Sequence, residues 1–118
     1  MAIGKEDLEL IILFDWLRFN KLDHVAFHPA NERRCTAQQG ALLKRKGVTA
    51  GVSDVIFLRP SQRWNGLIIE MKSKGGKLSP HQAKFLETMA KEGYLTKVCF
   101  SADEAISLIK SYLMISST

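Results

Sequence analysis

Cysteine is nearly absent. Only Cys35 and Cys99 occur in the 118 residues, with no CxxC spacing and no histidine companion, so neither a disulfide framework nor a thiolate zinc site organises the fold. A reduced, cytoplasmic protein is the expectation. Long apolar runs are also missing. The richest stretch, LELIILFDWLRF, is broken by Glu9, Asp15 and Arg18 and follows acidic residues, so neither a membrane span, a secretory signal nor a membrane partner is expected. His24 and His81 lack companions at metal-ligand spacing. GGKLS is not a phosphate-cradling loop, because Leu78 follows Lys77 where a hydroxyl residue is required. There is no internal repeat or linker beyond the short SKGGK turn and the polar tail SST.

What is present fits one domain over residues 1–118, long enough for a proper core and too short for two. Apolar residues make up 46% and charged residues 25%, an ordinary globular balance. Lysine and arginine number 17 against 12 acidic residues, giving a charge of +5 and a pI near 9.4. That excess favours a polyanionic partner.

Leu10, Leu13, Phe14 and Leu17 have the spacing of an amphipathic helix over 5–19. HVAFHP alternates and ends in proline, which predicts a strand before the polar loop ANERRC. Thr36 caps a helix reaching about Lys46, where Gly47 stops it. From Gly51 the period changes: Asp54 to Leu58 and Leu67 to Lys72 read as two strands of a hairpin around Pro60 and Asn65-Gly66. SPHQ starts a helix with Ser79 as N-cap, running to about Glu92 before Gly93. YLTKVCF is a further strand, and SADE opens a last helix ending near Leu113. The order α-β-α-β-β-α-β-α predicts an α/β fold, a mixed sheet covered by helices.

The two hairpin strands carry charges in otherwise apolar segments. Alternation puts Ile68, Glu70 and Lys72 on one face and Leu67, Ile69 and Met71 on the other. The loop from Pro60 to Asn65 centres the hairpin so that Asp54 and Glu70 lie opposite one another or nearly so. Opposed Cβ atoms are roughly 5 Å apart, too close for two carboxylates to ionise without a cation. Oxygen-only ligands favour Mg²⁺ or Mn²⁺ over zinc, and Lys72 beside them is placed to hold a water or neutralise a phosphate. An isolated Glu-x-Lys is commonly a solvent-facing ion pair; the opposed Asp54 and the apolar flanks shift the reading toward a site.

GVSD, GLIIEMK, GKLSPHQ, GY and SADEAISLIKSYL, in this order and at similar gaps, closely resemble the VRR-NUC family of the PD-(D/E)XK nuclease superfamily over about the last two thirds of the chain. The resemblance implies a restriction-endonuclease-like mixed β-sheet flanked by α-helices, and metal-dependent hydrolysis of DNA phosphodiester bonds. By carry-over, Asp54 and Glu70 bind Mg²⁺ or Mn²⁺, the carbonyl of Met71 is a further ligand, and Lys72 orients or activates the attacking water. Ser53 stands where the motif usually has proline, a change expected to alter the path of the chain without supplying chemistry. Gln82 has two readings, the family's active-site glutamine or the closing member of a capping box with Ser79. The family often completes the metal shell from its first helix. Glu6, which shares a face with Leu13 and Leu17, is preferred, with Glu9 the alternative; Glu6 can equally complement the helix dipole.

HPANERR, KRK and KSKGGK supply the basic segments. Arg33, Arg34, Lys44, Arg45, Lys46, Lys74 and Lys77 are the candidate phosphate contacts, and His28 and Asn31 match polar loop positions of the family. Small members of the family resemble Holliday junction resolvases, which implies a homodimer nicking branched DNA, a four-way junction first, in the cytoplasm of a bacterial or phage-infected cell. A nuclease for flaps or nicked duplex, or a DNA-binding module without catalysis, are the alternatives. The broad apolar girdle of the first helix, including Ile11, Ile12 and Trp16, is the candidate dimer contact.

Overall fold

The computed structural model describes residues 2–30 and 36–116. Asn31, Arg33, Arg34 and Cys35 lie outside them. The elements are α1 (Lys5–Phe19), β1 (Ala26–Phe27), α2 (Ala37–Arg45), β2 (Val55–Phe57), β3 (Leu67–Met71), α3 (Pro80–Lys91), β4 (Leu95–Cys99) and α4 (Ala102–Ser116). This is the expected order. The strands form one sheet, β1-β2-β3-β4, with antiparallel β1–β2 and β2–β3 pairs and a parallel β3–β4 pair. A parallel pair needs a crossover, and α3 supplies it. No described helix is long and apolar enough to cross a membrane.

β3 is buried on both faces, which explains its continuous apolar reading. On one side Leu67, Ile69 and Met71 pack with Leu13 and Leu17 of α1 and Ala105, Ile109 and Tyr112 of α4. On the other, Ile68 joins Ile56 and Leu86 of α3. Each such aliphatic side chain contributes about 1.5–3 kcal/mol on full burial, so the charged end of β3 is held by the best-anchored strand. Tyr112 meets Phe57 edge-on at 6.0 Å and donates its hydroxyl proton to the Arg59 carbonyl at 2.6 Å.

Local signals set most boundaries. Thr36 Oγ1 accepts from Gln39 N at 3.1 Å while Gln39 Oε1 accepts from Thr36 N at 2.9 Å, a full capping box. Ser79 and Gln82 repeat it at α3. At α4, Ser101 Oγ accepts from Glu104 N, but the Glu104 carboxylate reaches Phe100 N, one residue further back than the box expects. Gly47 and Gly93, past the ends of α2 and α3, have φ of +99° and +93°, the left-handed conformation that terminates helices.

β2, β3 and β4 are each shorter by a residue at one or both ends than the sequence suggests, and three differences have a physical reason. HVAFHP begins in a 3₁₀ turn at Asp23–Val25 and has only two strand residues, Ala26–Phe27; Pro29 lacks the N–H a longer ladder needs. β2 begins at Val55 rather than Asp54, for the reason given with the site. α4 runs past Leu113 to Ser116, since neither glycine nor proline interrupts it.

Between α2 and β2 the chain crosses onto the first turn of α3. Gly51 makes this possible: its φ is +82°, and a Cβ there would lie 2.4 Å from the His81 carbonyl carbon and 2.8 Å from Gln82 N. Gly47 also has positive φ, but its Cβ would meet nothing within 4 Å. Gly47→Ala should therefore cost about 1–2 kcal/mol of backbone strain alone. Gly51→Ala adds a backbone clash and should cost about 3 kcal/mol or more. Urea denaturation of both variants checks the difference; equal losses would mean that the close approach to α3 does not exist in solution.

Candidate active site

The β2–β3 register runs Val55↔Ile69, Ile56↔Ile68 and Phe57↔Leu67; one further step opposes Asp54 and Glu70. At that step the backbone ladder gives way to a side chain. Asp54 Oδ2 accepts from Met71 N at 2.8 Å, which is why the regular strand starts only at Val55. The Asp54 carbonyl, on the β1 side, is bonded to His28 Nδ1 at 2.6 Å. His28, assigned at most a DNA contact by sequence, thus fixes the backbone of Asp54.

Glu70 is 2% exposed, and its Oε1 has no hydrogen-bond partner among the described residues. Its other oxygen, Oε2, lies 3.4 Å from Gln82 Nε2. Gln82 Oε1 meanwhile accepts from Ser79 N at 2.9 Å. The two readings of Gln82 hold together: its carbonyl closes the capping box and its amide faces Glu70.

Burial first, then the adjoining Asp54 carboxylate, push the Glu70 pKa up to about 8, against a smaller downward pull from Lys72 and Ser53. A buried carboxylate with one unpaired oxygen beside a second carboxylate is costly unless a cation shares it. The donor set is oxygen, which suits a hard divalent ion. Asp54 and Glu70 therefore fit the metal that the sequence implies.

Lys72 is half-buried and makes no salt bridge among the described residues. It is not consumed by Glu70, as a solvent-facing Glu-x-Lys pair would require. It borders a small cleft with Lys5, Glu6, Glu9, Met71, Ser73 and Phe100. Glu6 Oε1 accepts from Ser73 N at 3.3 Å and Ser73 Oγ at 3.1 Å, while Glu9 Oε2 accepts from Ala102 N at 3.3 Å. Glu6, the one that shares a face with Leu13 and Leu17, is exposed, and Glu9 is half-buried. Neither joins Asp54 and Glu70: among the described residues no three of His, Cys, Asp and Glu gather at metal-binding distance.

Lys74 and Lys77 are exposed on the segment joining β3 to α3, directly after Lys72, and Lys44, Arg45 and Lys46 are exposed at the end of α2. Two contributors escaped the sequence. Ser73 was read only as part of a basic segment. Ser53 was read as inert, yet it is 1% exposed and its Oγ has no partner among the described residues; its one local signal is a hydroxyl on an apolar approach to the strand.

A family model described as the VRR-NUC domain matches residues 12–103. A solved structure described as a VRR_NUC domain protein is similar over 98% of this chain and 93% of its own, with 28% identity and a TM-score of 0.84. No curated protein matches significantly.

Glu70 also sets a pH dependence. Without metal, the folded state holds its proton to about pH 8, whereas the unfolded chain releases it near the ordinary value of 4.5. Between these values the folded state binds more protons, so this contribution to stability is complete below the lower value and disappears as pH rises through the upper. At about 1.4 kcal/mol per pKa unit, a loss on the order of 2–4 kcal/mol is expected. Urea titrations in EDTA between pH 5 and 8.5 should show wild type losing that much more than Glu70→Gln. Parallel curves would place Glu70 in water.

Proposed function

Since the chain belongs to the VRR-NUC domain family and has its nuclease-type fold, we propose that it is a divalent-metal-dependent DNA endonuclease selective for branched structures, four-way junctions first. One observation supports the metal dependence: Glu70, buried, with an oxygen that has no partner among the described residues, beside Asp54.

Asp54 and Glu70 would hold Mg²⁺ or Mn²⁺, with the Met71 carbonyl as a third protein oxygen. Bound there, the ion would polarise the scissile phosphate and ease ionisation of water. Asp54 is oriented by the Met71 N–H and Glu70 by Gln82. The Lys72 ammonium, without a salt-bridge partner among the described residues, holds the attacking water or offsets charge growing on the phosphate. Glu6, through its two bonds to Ser73, steadies the chain beside Lys72; a part in the metal shell is a further proposal that its present partners do not support.

Lys74 and Lys77 adjoin these groups and are suited to phosphates flanking the cut; Lys44, Arg45 and Lys46 extend the basic surface, and Arg33 and Arg34 enter on sequence alone. Two symmetric nicks require two copies. The outer face of α1 exposes Leu8, Ile11 and Ile12, each more than two-fifths accessible, and Ile11 borders a groove with Phe27 of the edge strand. A homodimer covering this apolar face is the assembly that fits.

The test is cleavage of four-way junction, flap, nicked, single-stranded and plain duplex DNA in Mg²⁺, Mn²⁺ and EDTA. Paired junction nicks should vanish with EDTA and fall about 100-fold or more in Lys72→Ala. Cutting confined to flaps or nicked duplex would replace the substrate and keep the chemistry. Salt-sensitive binding without cutting would make the protein a binding module. Sedimentation equilibrium should give a dimer at micromolar concentration for wild type and a monomer for Ile11→Glu.

A further inference from the structure

Pro29 removes a bond that Asp54 would otherwise use. β1 and β2 pair as Ala26↔Phe57 and Phe27↔Ile56, and one step before them Leu58 N donates to the Val25 carbonyl at 2.7 Å. Antiparallel steps alternate between those that carry backbone bonds and those that do not. Val25 with Leu58 is a bonded step, so Phe27 with Ile56 is the next, and Pro29 with Asp54 falls at the one after. Proline has no N–H to give. Continued unchanged, the ladder would leave the Asp54 carbonyl without its donor on this side. The His28 ring fills the place, with Nδ1 2.6 Å from that carbonyl oxygen. A carbonyl can only accept, so Nδ1 carries the proton whatever the charge of the ring.

Asp54 is thereby held from both neighbouring strands by bonds in which a side chain replaces the backbone. On the β3 side its own Oδ2 takes the Met71 N–H at 2.8 Å, and on the β1 side its carbonyl takes the His28 Nδ1–H. Fixing this carbonyl fixes the ψ of Asp54, and with it the direction in which the carboxylate leaves the chain. His28 is half-buried, so water competes only in part for the bond. On the basis of the metal-dependent reading above, we propose that His28 is a positioning residue of the metal centre: its Nδ1–H replaces the ladder donor that Pro29 lacks and aims the Asp54 carboxylate at the cation. In this role it acts through Asp54 and is not itself a ligand.

The test is isothermal titration of the full chain with Mn²⁺ at fixed pH, beside thermal melting in EDTA. The chains are wild type, His28→Ala, His28→Asn, whose amide N–H can stand where Nδ1 stood, and His28→Ala combined with Pro29→Ala, which returns a backbone N–H to the ladder. His28→Ala should weaken Mn²⁺ binding about 10-fold, the size typical of lost outer partners to metal ligands. His28→Asn and the double variant should each recover most of the affinity. A purely structural role would lower the melting temperature and leave Mn²⁺ affinity, measured well below melting, unchanged. The proposal is overturned by His28→Ala binding within about twofold of wild type, or by His28→Asn and the double variant both folded and both as weak as His28→Ala. Absence of Mn²⁺ binding by wild type would instead overturn the metal-dependent reading, and this inference with it.

Discussion

The Asp54 carboxylate takes the place of a backbone acceptor at the end of the β2–β3 ladder, and the rest of the site depends on that substitution. Because Oδ2 receives the Met71 N–H at 2.8 Å, the two strands stay together for one more residue without a regular bond between them. The side chains of Asp54 and Glu70 are forced into one small volume. Burial first, and the adjoining Asp54 carboxylate after it, raise the pKa of Glu70. The fold is thus least comfortable at the point where its core is tightest. Burial on both faces of β3 keeps Glu70 out of water despite the charge.

The neighbouring elements are tied to this point by side chains that also organise the chain locally. Gln82 closes the N-terminal box of α3 and faces Glu70, so the start of the helix and the orientation of the carboxylate are one arrangement. Glu6 binds Ser73, and Glu9 binds the first turn of α4, so α1 carries two links to segments 67 and 93 residues away. His28, just after the edge strand, holds the carbonyl of Asp54. Removing any of these side chains changes both stability and geometry, and activity alone cannot separate the two effects. Metal affinity, stability and rate must be read side by side.

Element order was legible because periodicity changes cleanly from helical to alternating at Gly51, and because Thr36, Ser79, Gly47 and Gly93 mark ends by local chemistry. The centre of the hairpin loop was enough to oppose Asp54 and Glu70. Gln82 appeared to require a choice, since each reading used one end of the amide; the structure uses both ends. β1 was overread because alternation cannot tell a two-residue edge strand from a turn. Ser53 was not legible, for its burial follows from the path of Gly51 across α3, a non-local fact. The partners of Glu6 and Glu9 were hidden for the same reason, although the inward face of the helix was visible.

Those failures have a common physical origin. Local propensity and pattern agree with the fold through most of the chain, as expected of a sequence that specifies one structure. They disagree where a charge enters an apolar strand, where a hydroxyl replaces a rigid residue, and where a backbone bond is handed to a side chain. All three departures fall within the few residues around Asp54 and Glu70. A chain under selection for stability alone would have an apolar residue at position 70, because an unpaired buried carboxylate destabilises the fold. Its presence there, with Asp54 opposite and Gln82 behind it, is what the proposed cation would account for. On the function proposed above, a cation on the oxygen donors and a phosphate beside Lys72, which has no salt-bridge partner among the described residues, would offset both the negative and the positive charge.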